Sequence, residues 1–134
     1  MNKFIKFSLV AIFAIFVAAC SARREPIETP TGIVPESFTL AEVKKGINIA
    51  LAERGWIVTY SNDQLIKARL SVRTHVAEIE IPYSEKSYEI KYVSSQNLKD
   101  EADGSIHGRY NSWVGKLKLE INKSLSNLYV QKNN

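Results

Sequence analysis

The sequence predicts an α+β fold, a two-layer sandwich. A four-stranded antiparallel sheet carries two helices on one face, in the order α-β-β-β-β-α. Three observations carry that reading. A capping box followed by helical apolar spacing begins at Thr39, period-two segments fill much of residues 56–93, and a second helical stripe runs from about Ile106 to Tyr129.

The first helix opens on Thr39-Leu40-Ala41-Glu42. The Thr39 hydroxyl can accept the Glu42 N–H while the Glu42 carboxylate reaches back to the Thr39 N–H. Phe38 and Val43 sit at the two positions of a hydrophobic staple. Val43, Ile47, Ala50, Leu51 and Arg54 then share one helical face, and Gly55 is placed to stop the helix. Residues 56–60 (WIVTY) are aromatic and β-branched and read as a strand. Residues 65–73 alternate, with Ile66, Ala68, Leu70 and Val72 inward and Lys67, Arg69, Ser71 and Arg73 outward. Residues 76–83 place Ala77, Ile79, Ile81 and Tyr83 inward against Glu78 and Glu80. Residues 87–93 place Tyr88, Ile90 and Tyr92 inward against Glu89 and Lys91. Short turns between such strands predict a meander whose outer face pairs basic with acidic rows, each pair adding about 0.2–1 kcal/mol. Residues 93–105 are polar and predict a loop. Tyr110, Val114, Leu117, Ile121, Leu125 and Leu128 form the stripe of the last helix.

The flanks set the domain boundaries. Of the 134 residues, 1–19 combine Lys3 and Lys6 with an apolar run, FSLVAIFAIFVAA, the pattern of a secretory signal. The run is shorter than the roughly 20 residues needed to span a membrane. It ends in Val17-Ala18-Ala19-Cys20, which resembles the lipobox of bacterial lipoproteins. That resemblance implies cleavage before Cys20 and acylation of the cysteine. It also implies a membrane partner held through the N-terminal lipid. With Ser21 rather than Asp after the cysteine, resemblance to sorted lipoproteins implies the outer membrane, facing the periplasm. Residues 20–36 hold three of the four prolines and read as the lipidated cysteine and a proline-containing tether. The domain is expected over 37–130, with 131–134 frayed. Removing residues 1–19 lowers the formal charge from +4 to +2, which leaves little electrostatic basis for nucleic-acid binding.

Chemistry is sparse. The sequence holds no GxGxxG, no P-loop, no HExxH and no GxSxG. One cysteine and two histidines do not supply the four ligands of a structural zinc site, so neither metal nor cofactor is expected. The densest polar cluster joins Ser94, Ser95 and Asn97 of the predicted loop to His107, Tyr110 and Asn111. If residue 107 begins a helix, His107, Tyr110 and Asn111 share a face near its N-terminal N–H groups. Two outcomes follow. In the favoured one, His107 and Asn111 hydrogen-bond the 93–98 loop and pin it, since buried polar side chains usually satisfy backbone. In the other, the cluster lines a polar pocket, and a small hydrolase using the His107 loop becomes conceivable.

The string Ile106-His107-x-x-Tyr110-Asn111-x-Trp113-Val114-x-x-Leu117 follows Arg54-Gly55-Trp56 and Tyr92-x-Ser94-x-x-Asn97-Leu98. Over roughly residues 40–121 the chain resembles a group of small proteobacterial lipoproteins of uncharacterised role that carry a similar IHxxYNxWVxxL segment. The resemblance implies an envelope address and this fold, and makes His107, Tyr110, Asn111 and Trp113 one local unit. The functional expectation is a non-enzymatic, membrane-anchored module that binds an envelope protein or cell-wall component. An accessory lipoprotein of an outer-membrane assembly complex is the alternative, by fold analogy.

Overall fold

The computed structural model describes residues 24–100 and 103–134. Residues 1–23, and with them the predicted signal segment and Cys20, lie outside the described residues. The elements in chain order are β1 (Arg24–Pro26), β2 (Thr31–Ile33), α1 (Leu40–Glu53), β3 (Ile57–Ser61), β4 (Leu65–Val72) and β5 (His75–Pro82). They continue with β6 (Ser87–Glu89), β7 (Lys91–Gln96), β8 (Ser105–His107) and α2 (Arg109–Asn133). The fold is α+β, with two helices and a four-stranded antiparallel sheet in the order β3-β4-β5-β7. Two smaller antiparallel pairs, β1-β8 and β2-β6, accompany it.

The first helix forms where its cap dictates. Thr39 Oγ1 accepts the Glu42 N–H at 3.2 Å and Glu42 Oε2 accepts the Thr39 N–H at 2.9 Å, closing the capping box. At the other end Gly55 has φ +78°, the left-handed conformation in which glycine meets no Cβ penalty. The Trp56 N–H then donates to the Leu51 carbonyl at 2.9 Å.

The sheet's apolar rows and both helices share one core. Ile66, Ala68, Leu70, Ala77, Ile79 and Ile81 from the sheet join Val43, Ile47, Ala50 and Leu51 of α1 and Val114, Leu117, Ile121 and Leu125 of α2. On the other face Lys67 lies opposite Glu80, Arg69 opposite Glu78, and Glu80 opposite Lys91, so the register places unlike charges side by side.

The structure corrects four boundaries. The segment expected to be a tether belongs to the domain from Arg24 onward. Arg24–Pro26 pairs with Ser105–His107, Thr31–Ile33 pairs with Ser87–Glu89, and Val34 is buried. Short extended stretches between prolines leave N–H and C=O groups free, and the edges at residues 87–89 and 105–107 accept them. The same pairing divides the predicted fourth strand. Ile90 donates to the Pro30 carbonyl at 2.8 Å, so 87–89 go to β2, and the fourth strand of the sheet becomes Lys91–Gln96. The predicted loop is thereby shortened at both ends, and α2 begins at Arg109 rather than near Ile106. The C-terminus is helical through Asn133 instead of frayed at 131. Lys132 Nζ donates to the Ser37 carbonyl at 2.7 Å and to Glu42 Oε2 at 3.0 Å, which ties the end of α2 to the cap of α1. Among the described residues no helix is long and apolar enough to cross a membrane.

Tyr88 couples the β2-β6 pair to α2. Its hydroxyl donates to Asn122 Oδ1 at 2.6 Å and reaches the Lys118 carbonyl at 3.3 Å. Burial pushes this hydroxyl up to about 12 from its ordinary 10.0. The unfolded chain therefore loses the Tyr88 proton first as pH rises. Stability is intact below pH 10 and falls as pH climbs from there through about 12. Thermal melts followed by circular dichroism should show Tm declining across that window, and Tyr88→Phe should flatten the decline.

Candidate functional site

The predicted polar cluster does not converge. Ser94 lies opposite Glu78 on the charged side of the sheet and donates to Glu78 Oε2 at 2.8 Å. Ser95 Oγ lies 2.9 Å from the Tyr92 hydroxyl. Asn97, at φ +60°, sits by the β4-β5 turn, where its Nδ2 donates to Thr74 Oγ1 at 2.7 Å and its carbonyl accepts from His75 Nδ1 at 2.8 Å. The three residues thus belong to three different local contacts.

His107 lies on β8, not on a helix. Its backbone N–H donates to the Leu98 carbonyl at 2.9 Å. Its ring Nδ1 accepts the Arg109 N–H at 3.2 Å, one of the N–H groups that the first turn of α2 leaves without a helical partner. That bond requires an unprotonated Nδ1, so the neutral ring carries its hydrogen on Nε2. Neither contact involves Ser94 or Ser95.

Asn111 has the most connected side chain of the group. It is buried on the first turn of α2. Its Oδ1 accepts the Glu28 N–H at 3.0 Å. Its Nδ2 donates to the Pro26 carbonyl at 2.8 Å and to Glu25 Oε2 at 3.1 Å. These bonds use both amide hydrogens and one lone pair of the oxygen, holding the backbone just after β1. Gly108 lies against the same carboxylate, since a Cβ there would come within 2.9 Å of it.

Tyr110 points into the core at 0% exposure, with its ring edge-on to Tyr92 at 5.3 Å and 89°. Its hydroxyl has no hydrogen-bond partner among the described residues. Burial, reinforced by the neighbouring Tyr92, raises its pKa well above the ordinary tyrosine value. The Tyr92 hydroxyl is also raised, first by burial.

Sequence reasoning missed the partners of Asn111. It expected the clamp to close on residues 93–98, and the clamp closes instead on Glu25, Pro26 and Glu28. The available signal was Ile27 and Val34, apolar residues inside a supposed spacer, both packed against the core.

A separate groove of about 610 Å³ opens between β2 and the distal half of α2. Thr31, Ile33, Lys118, Asn122 and Tyr129 line it, with Ile33 85% exposed. Its single charged residue is Lys118, so it carries no acid–base pair. Among the described residues no three His, Cys, Asp or Glu side chains meet as a metal would require. No known protein family matches the chain, and no curated protein resembles it significantly.

Proposed function

We propose that the protein is a lipid-anchored envelope lipoprotein acylated at Cys20. Its two-layer domain works as a non-enzymatic binding or structural module, held at the outer membrane and facing the periplasm. The observation that carries the anchor is the coincidence at one place of a basic start, a short apolar run, small residues and the chain's single cysteine. Acyl chains contribute about 0.8 kcal/mol per buried CH₂, so two or more of them anchor stably where one is marginal. The non-enzymatic reading is supported by how the polar cluster is used. The His107 ring accepts the Arg109 N–H, and Asn111 binds backbone. The resemblance to proteobacterial lipoproteins agrees with this address. Partners would be an envelope protein, such as an outer-membrane assembly complex, or cell-wall material.

Cys20→Ala tests the anchor. Expressed in a Gram-negative cell, the wild-type chain should sediment with membranes and incorporate labelled palmitate. The variant should lose the label and become soluble after cell disruption. Equal membrane retention of both would overturn the reading.

A further inference from the structure

We propose that the domain stands on its β1-β8 end against the phospholipid head-group layer, with the C-terminal end of α2 turned away from the bilayer. The proposal rests on acylation of Cys20 and adds an orientation to it. Only Ser21, Ala22 and Arg23 separate Cys20 from Arg24, the first residue of β1. Four Cα–Cα steps reach at most about 14 Å. An acylated cysteine sits at head-group level, so β1 is held within that distance of the lipid surface.

The residues at this end follow from the pairing. Arg24 lies opposite His107, and α2 starts two residues later at Arg109. The His107 N–H bonds the Leu98 carbonyl, which brings the chain at Lys99 alongside. Lys99 and Arg109 are exposed there and can reach lipid phosphates, beside the exposed carboxylates of Glu25, Asp100 and Asp103. Glu25 and Asp103 stay charged while they accept from Asn111 and Ser105, and Arg24 already acts on Asp103, so the short leash rather than net charge sets the orientation. The Asn111 clamp makes the leash short in practice. Without it the chain could peel back to Pro30 and reach about two and a half times as far. The 25 residues of α2 span about 36 Å from first Cα to last, so its far end and the groove beside β2 are carried toward the periplasm.

The test uses the full, lipidated chain in vesicles of phosphatidylethanolamine and phosphatidylglycerol with a dye-labelled head group. Ser112→Cys and Asn133→Cys carry a fluorescent donor, about 30 Å apart along α2. Ser112 is exposed on the first turn and Asn133 is exposed at the far end. Energy transfer to the head-group dye should be at least roughly two-fold stronger from residue 112. Inserting a flexible Gly/Ser linker of about 16 residues between Ser21 and Ala22 adds roughly 22 Å and should erase the difference. Equal transfer from the two positions, stronger transfer from residue 133, or indifference to the linker would overturn the orientation. Co-sedimentation with the vesicles is read in the same samples. Bound protein with equal transfer refutes the orientation and leaves the anchor standing. Protein that does not bind the vesicles refutes both.

Discussion

Asn111→Asp is expected to lower the unfolding free energy by about 2–4 kcal/mol and to release the segment around β1. The substitution keeps the shape and the oxygen that accepts the Glu28 N–H, and removes both donors. Pro26 loses its partner, and a second carboxylate is placed where Nδ2 now meets Glu25 Oε2 at 3.1 Å. Like charges at that separation, at a buried position, cannot both ionise without cost. Chemical denaturation measures the loss. Hydrogen exchange at the Glu28 amide reports the clamp itself and should speed up more than amides in β4 and β5. Exchange that rises uniformly would mean that Asn111 merely fills space. If the proposed anchor at Cys20 holds, detaching β1 would also lengthen its leash, and the same variant should weaken energy transfer from residue 112.

Gly32→Ala should cost about 2–3 kcal/mol, whereas Gly115→Ala should gain about 0.5–1 kcal/mol. The contrast separates space from backbone freedom. At Gly32 no unusual φ is required, yet an added Cβ would fall on the ring and hydroxyl of Tyr88. Tyr88 crosses the β2 backbone at this point to reach Asn122. Displacing the ring forfeits that bond and its packing together. At Gly115, inside α2, a Cβ meets nothing within 4 Å. There alanine only removes the helix penalty of glycine. Thermal melts of the two variants should therefore move Tm in opposite directions.

Residues 39–83 were legible because their signals are local. The Thr39–Glu42 box, the Gly55 stop and the alternation of residues 65–72 each need only neighbours a few positions away, and the structure shows each. Residues 24–34 were not legible, because their strands are three residues long and their pairing partners lie more than 50 positions further along the chain. Three residues carry too little periodicity to announce a strand, and prolines at 26 and 30 spoke for a linker. The split at Ile90 follows from the same distant partner. The Lys132 contacts with Ser37 and Glu42 bridge 95 and 90 positions and had no local trace.

The candidate cluster shows the same division. Sequence alone placed Asn111 on a helical face with Tyr110 and Val114, and favoured a backbone-binding role for it over a pocket. It also supplied the lipobox-like run ending at Cys20, on which the proposed anchor rests. Tertiary structure decided which backbone Asn111 binds, that Ser94, Ser95 and Asn97 turn to separate partners, and that the supposed tether belongs to the domain from Arg24 onward. The reason is physical. A hydrogen-bonding demand is written in one side chain and its burial, but its satisfaction depends on which distant strand the chain folds beside it.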